Sequence, residues 1–384
     1  MLTIGLYLHL PFCLSKCAYC DFASTPIEAS GGLPAARRYL DALNIELDLR
    51  AASAEFHGAR VDSIYFGGGT PTVLPAEWLA EMISRIRMRF VVAENAECTV
   101  EANPGTVDEA KVSAFLAAGI NRISLGVQAF SDLVLHLLGR CHTAGEAADA
   151  IEAVRAAGCR NLNLDLICGV PTQSLADWQE TLQQALSARP EHISAYGLSV
   201  EEGTPLAAAI ESGDLPEVDQ DLAGDMFEAA AAVLAGAGYA HYEISNFALP
   251  GFECRHNRRY WAGDEYLGLG ASAHSYRAGV RWNNCRDAAV YASNVEAGLL
   301  PVARAERLTP RARMGELLML GLRRLEGVSE AEVARRCGAA PGEVFGDEIR
   351  ELSERGLLIA KDGRLRMPQG KWLVSSEVLS YFIT

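Results

Sequence analysis

"YLHLPFCLSKCAYCDF", residues 7 to 22, sets three cysteines within eight positions, directly behind a short apolar run that reads as a β-strand. The spacing C-x3-C-x2-C of Cys13, Cys17 and Cys20 lets all three sulfurs reach one centre from a single loop. Left empty, such a loop would crowd thiols whose ionised forms repel, so a metal or cluster is the natural occupant. Three unrelated buried cysteines are the bland alternative, and the tight spacing argues against it. Structural zinc prefers four protein ligands, but no fourth Cys or His stands at a usual zinc-ribbon distance; Asp21 follows Cys20 instead. An iron–sulfur cube with one iron left open is the remaining choice.

Outward from this loop, β-branched apolar runs near 3–10, 61–66, 97–102, 121–127, 161–168 and 192–198 alternate with helical patterns. "AARRYLDALNIELDLRAA" after Pro34, "AEWLAEMISRIRMRF" after Pro75 and "SLADWQETLQQALSA" behind the capping candidate Ser174 are such patterns. Six βα units in series predict an α/β fold with a parallel sheet, either open and doubly wound or a partial barrel, with ligands beyond the strands' C-terminal ends. The polar residues at those ends share one rim. They are the three cysteines, Gly67 to Thr70, Glu101 and Asn103, Gln128, Asp165, and Tyr196 with Ser199.

Past residue 200 the pattern loosens. Residues 219–237 read as helix, and "YAHYEISNFALPGFECRHNRRYWAGDEYLGLGASAHSY" crowds aromatics, glycines and histidines into one irregular region. The last part reads as helices at 309–324, 329–337 and 341–355, followed by a hairpin at Asp362-Gly363, a small winged-helix-like module. This divides the chain into a core at 1–215, an associated region at 216–304 and a C-terminal domain at 305–384.

Composition narrows the function. A net charge of −15 leaves no basic surface for nucleic acid or an anionic membrane. Segment 342–356, where a recognition helix would lie, is itself net acidic, so the terminal module reads as a packing or partner-docking domain. No apolar run is long enough to span a membrane, and the N-terminus lacks signal-peptide character. Seven of the ten cysteines are isolated, which suits reduced thiols, and the cytoplasm is the expected location.

The cysteine loop, with Tyr19 before its third cysteine, resembles that of the radical S-adenosylmethionine (SAM) superfamily, and "YFGGGTP" at 65–71 resembles its glycine motif. More narrowly, "YLHLPFC", "VEANPG", "ISLGVQAF", "NLDLICGVPTQ", "ISAYGLSVEEGTPL" and "HNRRYWAGDEYLGLGASAHSY" are similar to the oxygen-independent coproporphyrinogen III dehydrogenases and their haem-chaperone relatives. The resemblance implies a parallel partial (β/α)6 barrel holding a [4Fe-4S] cluster, whose open iron is chelated by SAM. It places SAM contacts at Tyr7, Tyr19, Gly68, Gly69, Thr70, Glu101, Gln128, Arg140 and Asp165.

Between the two branches, the sequence favours the chaperones. Only 12 residues precede Cys13, and Phe22 stands where the dehydrogenases carry a further cysteine. "HNRRYW", residues 256–261, matches the chaperones' H-N-x-x-Y-W motif, which implies haem as cargo, with His256 offering an imidazole to its iron. Tyr260 and Trp261 offer flat faces to the macrocycle and Arg258 or Arg259 a charge for its propionates, while Cys254 and His274 are rival iron ligands. A haem-accepting protein is the expected partner, and the sequence permits a homodimer. The competing readings are oxidative decarboxylation of coproporphyrinogen, radical chemistry on another substrate, and protein binding through the C-terminal module.

Overall fold

A computed structural model describes residues 1–368 and 370–383. All six expected strands form: β1 (Thr3–Leu10), β2 (Arg60–Gly68), β3 (Val91–Ala102), β4 (Arg122–Gln128), β5 (Leu162–Cys168) and β6 (His192–Gly197). They pair in parallel in chain order. The irregular region and the segment that follows it supply both ends of the sheet. β7 (Ala240–Glu243) and β8 (Asn246–Ala248) extend it antiparallel beyond β6. On the other side, β9 (Tyr266–Leu269) is a seventh parallel strand beside β1, followed by antiparallel β10 (His274–Arg277), β11 (Val280–Asn284) and β12 (Val302–Arg307). The result is one 12-stranded sheet.

Period-two alternation explains how the sheet is covered. Ile64 and Phe66, Cys98 and Val100, Ile123, Leu125 and Val127, Leu162, Leu164 and Leu166 share the main apolar core. That core includes Leu40, Leu43 and Leu47 of helix Gly32–Ala52, Leu79, Ile83 and Ile86 of Ala76–Arg89, and Trp178 and Leu182 of Leu175–Ser187. The last of these begins at Ser174, whose side chain accepts from the Asp177 amide while Asp177 reaches back in a capping box. The intervening strand residues are polar yet buried: Ser63, Glu97, Thr99, Arg122, Ser124, Asn163, His192 and Ser194.

Buried polar groups must find partners, and here they find one another. Asn163 donates to Ser124 Oγ (2.7 Å) and accepts from His192 Nδ1 (2.6 Å), whose Nε2 meets the Tyr242 hydroxyl at 2.8 Å. Burial pushes the His192 pKa far down, so the ring is neutral.

The C-terminal module has its own core of Met314, Leu318, Val333, Phe345, Leu352 and Phe382. Phe345 and Phe382 are almost fully buried, and each such side chain contributes about 1.5–3 kcal/mol. Its elements are helix Pro310–Gly321, helix Glu330–Cys337, the pair Pro341–Val344 and Gly346–Glu354, and a three-stranded sheet of Val328–Ser329, Ile359–Lys361 and Arg364–Arg366. The expected single helix over 341–355 is broken at Phe345, whose buried ring takes the corner.

Candidate functional site

Parallel register carries the end of β1 to the glycine motif, with Leu10 opposite Gly68. The backbone there admits no side chain. A Cβ on Gly68, which sits at φ +106°, would lie 2.5 Å from the His9 ring, and one on Gly69 would lie 2.6 Å from the Phe12 carbonyl oxygen. The glycines therefore let the cysteine loop lie against the strand.

From this seat a chain of hydrogen bonds crosses the rim. Thr70 Oγ1 donates to Cys13 Sγ (3.7 Å) and accepts from Asn103 Nδ2 (2.6 Å). Asn103 Oδ1 accepts from Arg140 Nη2 (2.5 Å), which also donates to the Gly126 carbonyl (2.9 Å), and Arg140 Nη1 donates to Cys17 Sγ at 3.3 Å. Burial raises the pKa of the Cys13 and Cys17 thiols; Thr70 pulls back on the first and Arg140 on the second. These donors aimed at sulfur suit thiolates bound to iron. Tyr19 is half-buried, packing on the small cluster of Ala129, Val134 and Leu135.

Farther along, Glu101 accepts from the Tyr65 hydroxyl (2.8 Å) and the Gly68 amide (3.2 Å). Burial, reinforced by the charge of Asp165, pushes its pKa up to about 7. Asp165 accepts from Ser124 Oγ (3.0 Å) and Asn163 Nδ2 (2.9 Å). Gln128 takes φ +66°, a left-handed conformation uncommon outside glycine, and its buried Oε1 has no hydrogen-bond partner among the described residues. An orphan acceptor on a strained residue beside two carboxylates fits the cationic, hydrogen-bond-rich head of SAM. Tyr7 completes the rim, its hydroxyl 3.1 Å from His9 Nδ1, while His9 Nε2 meets the Ala23 carbonyl at 2.8 Å.

The structure thus brings together the cysteines, glycines, Thr70, Glu101 and Arg140, gives the rim residue Asn103 a linking role, and adds His9, which the sequence did not single out. Both stand inside quoted motifs, "VEANPG" and "YLHLPFC"; their single polar groups gave no sign that they join one loop to another.

His256 is placed differently from the expectation that it faces haem iron. It lies on helix Arg255–Trp261, is 1% exposed, and has both ring nitrogens engaged, Nδ1 with Ser63 Oγ (3.0 Å) and Nε2 with the Tyr260 hydroxyl (2.8 Å). Burial first, then the charges of Arg259 and Arg122, push its pKa down to about 3. Ser63 lies four residues before Gly67, and the His256 ring packs beneath the rim, 5.1 Å from the Tyr65 ring and 6.4 Å from that of Tyr7. The helix plugs the sheet's polar interior: the Arg255 and His256 amides donate to the Glu97 carboxylate at 3.0 and 3.1 Å. Arg259 is held by Asp62, Arg258 lies 3.9 Å from Glu326, and buried Cys254 points its thiol at Glu97 (3.4 Å). Cys254 and His256 are both buried, with the thiol and both ring nitrogens engaged by hydrogen-bond partners.

Above this plug lies a cavity of about 670 Å³, within the usual range of small-molecule sites. One end is the rim, with Tyr7, Gly68 and Glu101; the other is aromatic, with Tyr260, Trp261, Tyr266 and Tyr276 facing Leu317, Met319 and Leu320 of helix Pro310–Gly321. Phe22 lines it too.

Residues 7–185 match the radical SAM superfamily and residues 308–373 the HemN C-terminal domain. The chain is 40% identical over 366 residues to heme chaperone HemW of Mycobacterium tuberculosis, covering 94% of this chain and 92% of the relative. It belongs to the HemW family of radical SAM proteins. HemW of Bacillus subtilis is 32% identical, with 98% of both chains covered. The solved structure of coproporphyrinogen III oxidase (HemN) from Escherichia coli superposes with a TM-score of 0.86 at 23% identity, over 100% of this chain and 90% of that one, which establishes the shared fold. The superfamily implies a [4Fe-4S] cluster and SAM for this HemW-family chain. No helix among the described residues is long and apolar enough to cross a membrane.

Proposed function

We propose that this protein binds haem beside a [4Fe-4S] cluster and SAM and passes the haem to an acceptor protein. The observation that carries the reading is near full-length similarity to proteins named heme chaperone, combined with a cavity whose aromatic end adjoins the cysteine rim. Cys13, Cys17 and Cys20 would hold the cube, and Glu101, Gln128, Asp165 and the Gly68–Gly69 backbone the SAM. When bound, the cluster would supply an open iron for SAM to chelate. The protein's own part is to fix the sulfurs through Thr70 and Arg140 and to leave Gln128 Oε1 free as an acceptor. Phe22 keeps the wall apolar where a thiol would otherwise stand, which favours cargo binding over decarboxylation.

The test is anaerobic purification with iron and sulfide analysis, then haemin titration and a coproporphyrinogen III assay on one sample. Haem binding at a micromolar dissociation constant, about 8 kcal/mol, without decarboxylation is expected. Cys17→Ala should lose iron and sulfide, whereas Cys159→Ala, far from the loop in sequence, should keep both. Decarboxylation by the loaded protein would favour the dehydrogenase reading.

A further inference from the structure

Given the haem-binding reading, on which this rests, the iron needs an open axial ligand within the cavity. Two of the protein's eight histidines line it, His9 and His274. His9 has both nitrogens occupied, by the Tyr7 hydroxyl and the Ala23 carbonyl. Turning it would uncouple Tyr7 from the cysteine loop. His256, below, would have to give up Ser63 and Tyr260 together.

His274 is different. It opens strand β10 beside Arg281 and Glu316 at the cavity wall, its side chain is exposed, and among the described residues neither ring nitrogen has a hydrogen-bond partner. The backbone beneath it is fixed: a Cβ on Gly268 of β9 would collide with the His274 carbonyl, so glycine lets the two strands close up there. Partial burial, with Arg281 nearby, holds the ring's pKa below its ordinary value, leaving a neutral imidazole able to bind metal at neutral pH. Tyr260, Trp261 and Tyr266 on one side and Leu317 and Met319 on the other offer apolar faces to a flat macrocycle.

We propose that His274 is the axial ligand of the bound haem iron, at the aromatic end of the cavity, and that the motif helix carrying His256 shapes that end without ligating. In this arrangement Tyr260 and Trp261 of the motif touch the cargo while His256 fixes the Tyr260 hydroxyl from below.

Haemin titration of the cluster-loaded full chain, followed by Soret absorbance and low-temperature EPR, tests this. His274→Ala should lose at least tenfold in affinity and shift the Soret band, and added imidazole should restore the wild-type spectrum. His256→Asn keeps a hydrogen-bonding side chain in the plug, and its haem spectrum should match wild type. Cluster content and melting temperature of His274→Ala should be unchanged, because its ring is exposed and unbonded. A wild-type spectrum in His274→Ala, or loss of the axial signal in well-folded His256→Asn, overturns the ligand assignment while leaving haem binding intact. Absence of haem binding by the wild-type protein overturns both.

Discussion

Glu101 shows how one buried carboxyl can set both a binding curve and a stability curve. Burial raises its pKa from an ordinary 4.5 to about 7. A raised carboxyl holds its proton more tightly in the folded state. The resulting penalty is absent below the unfolded value, grows as pH rises through the interval and is complete above about 7, reaching about 3 kcal/mol at most. Glu101→Gln should therefore raise melting stability at pH 8 and leave it unchanged at pH 4. In the proposed site the ionised form receives the cationic SAM. Wild-type SAM affinity should then fall about tenfold from pH 8 to pH 6, following the ionised fraction, and Glu101→Gln should flatten that dependence. Equilibrium dialysis at the two pH values decides; a flat wild-type profile would remove Glu101 from the SAM contacts. At this scale the cysteines were legible because their spacing is itself a geometric statement. Asn103 was legible as a rim residue but not in its work, which is to join Thr70 to Arg140 across strands brought together only by the fold.

At the scale of elements, strong periodicity was readable and short punctuated segments were not. β1 to β6 emerged from apolar runs, although β3 begins at Val91, before its irregular pairing with β2. "YLGL" was unreadable as a seventh parallel strand because four residues with a glycine carry no period. The motif helix was hidden for a related reason. Its seven residues are too few to show an apolar stripe, and what holds it is the i, i+4 bond from His256 to Tyr260 together with the Glu97 carboxylate at its first turn. The motif residues thus also pack the polar interior of the sheet. His256→Ala would leave Ser63 Oγ and the Tyr260 hydroxyl facing a void, at about 1–3 kcal/mol for each buried group left unsatisfied. Denaturant titration should show that loss, with His256→Asn recovering part of it; a His256→Ala variant as stable as wild type would mean that the plug does not depend on this ring.

Across the whole molecule, the two cores meet where the motif helix ends. Arg336 of the C-terminal module donates to the Ala262 carbonyl (2.6 Å) and to Asp264 (3.3 Å), and also reaches the Gly263 carbonyl. Arg323 lies over Trp261 at 5.4 Å. These contacts tie the terminal module to the motif helix beside the cavity, and Leu317, Met319 and Leu320 of helix Pro310–Gly321 line that cavity, so one wall of the proposed haem end belongs to the terminal module and the SAM rim does not. The division makes a specific expectation. Arg336→Ala removes a guanidinium that is mostly buried and caps three backbone or carboxylate acceptors, which should lower stability by about 1–3 kcal/mol. It should also weaken haem binding several-fold by letting Leu317 and Met319 drift from Tyr260 and Tyr266. SAM affinity and iron content should stay at wild-type values, because Thr70, Arg140, Glu101 and Gln128 sit on the sheet's own rim. Calorimetry for SAM and a haemin titration on the same preparation separate the two. Equal losses for both ligands would mean that the terminal module braces the entire sheet rather than one end of the cavity.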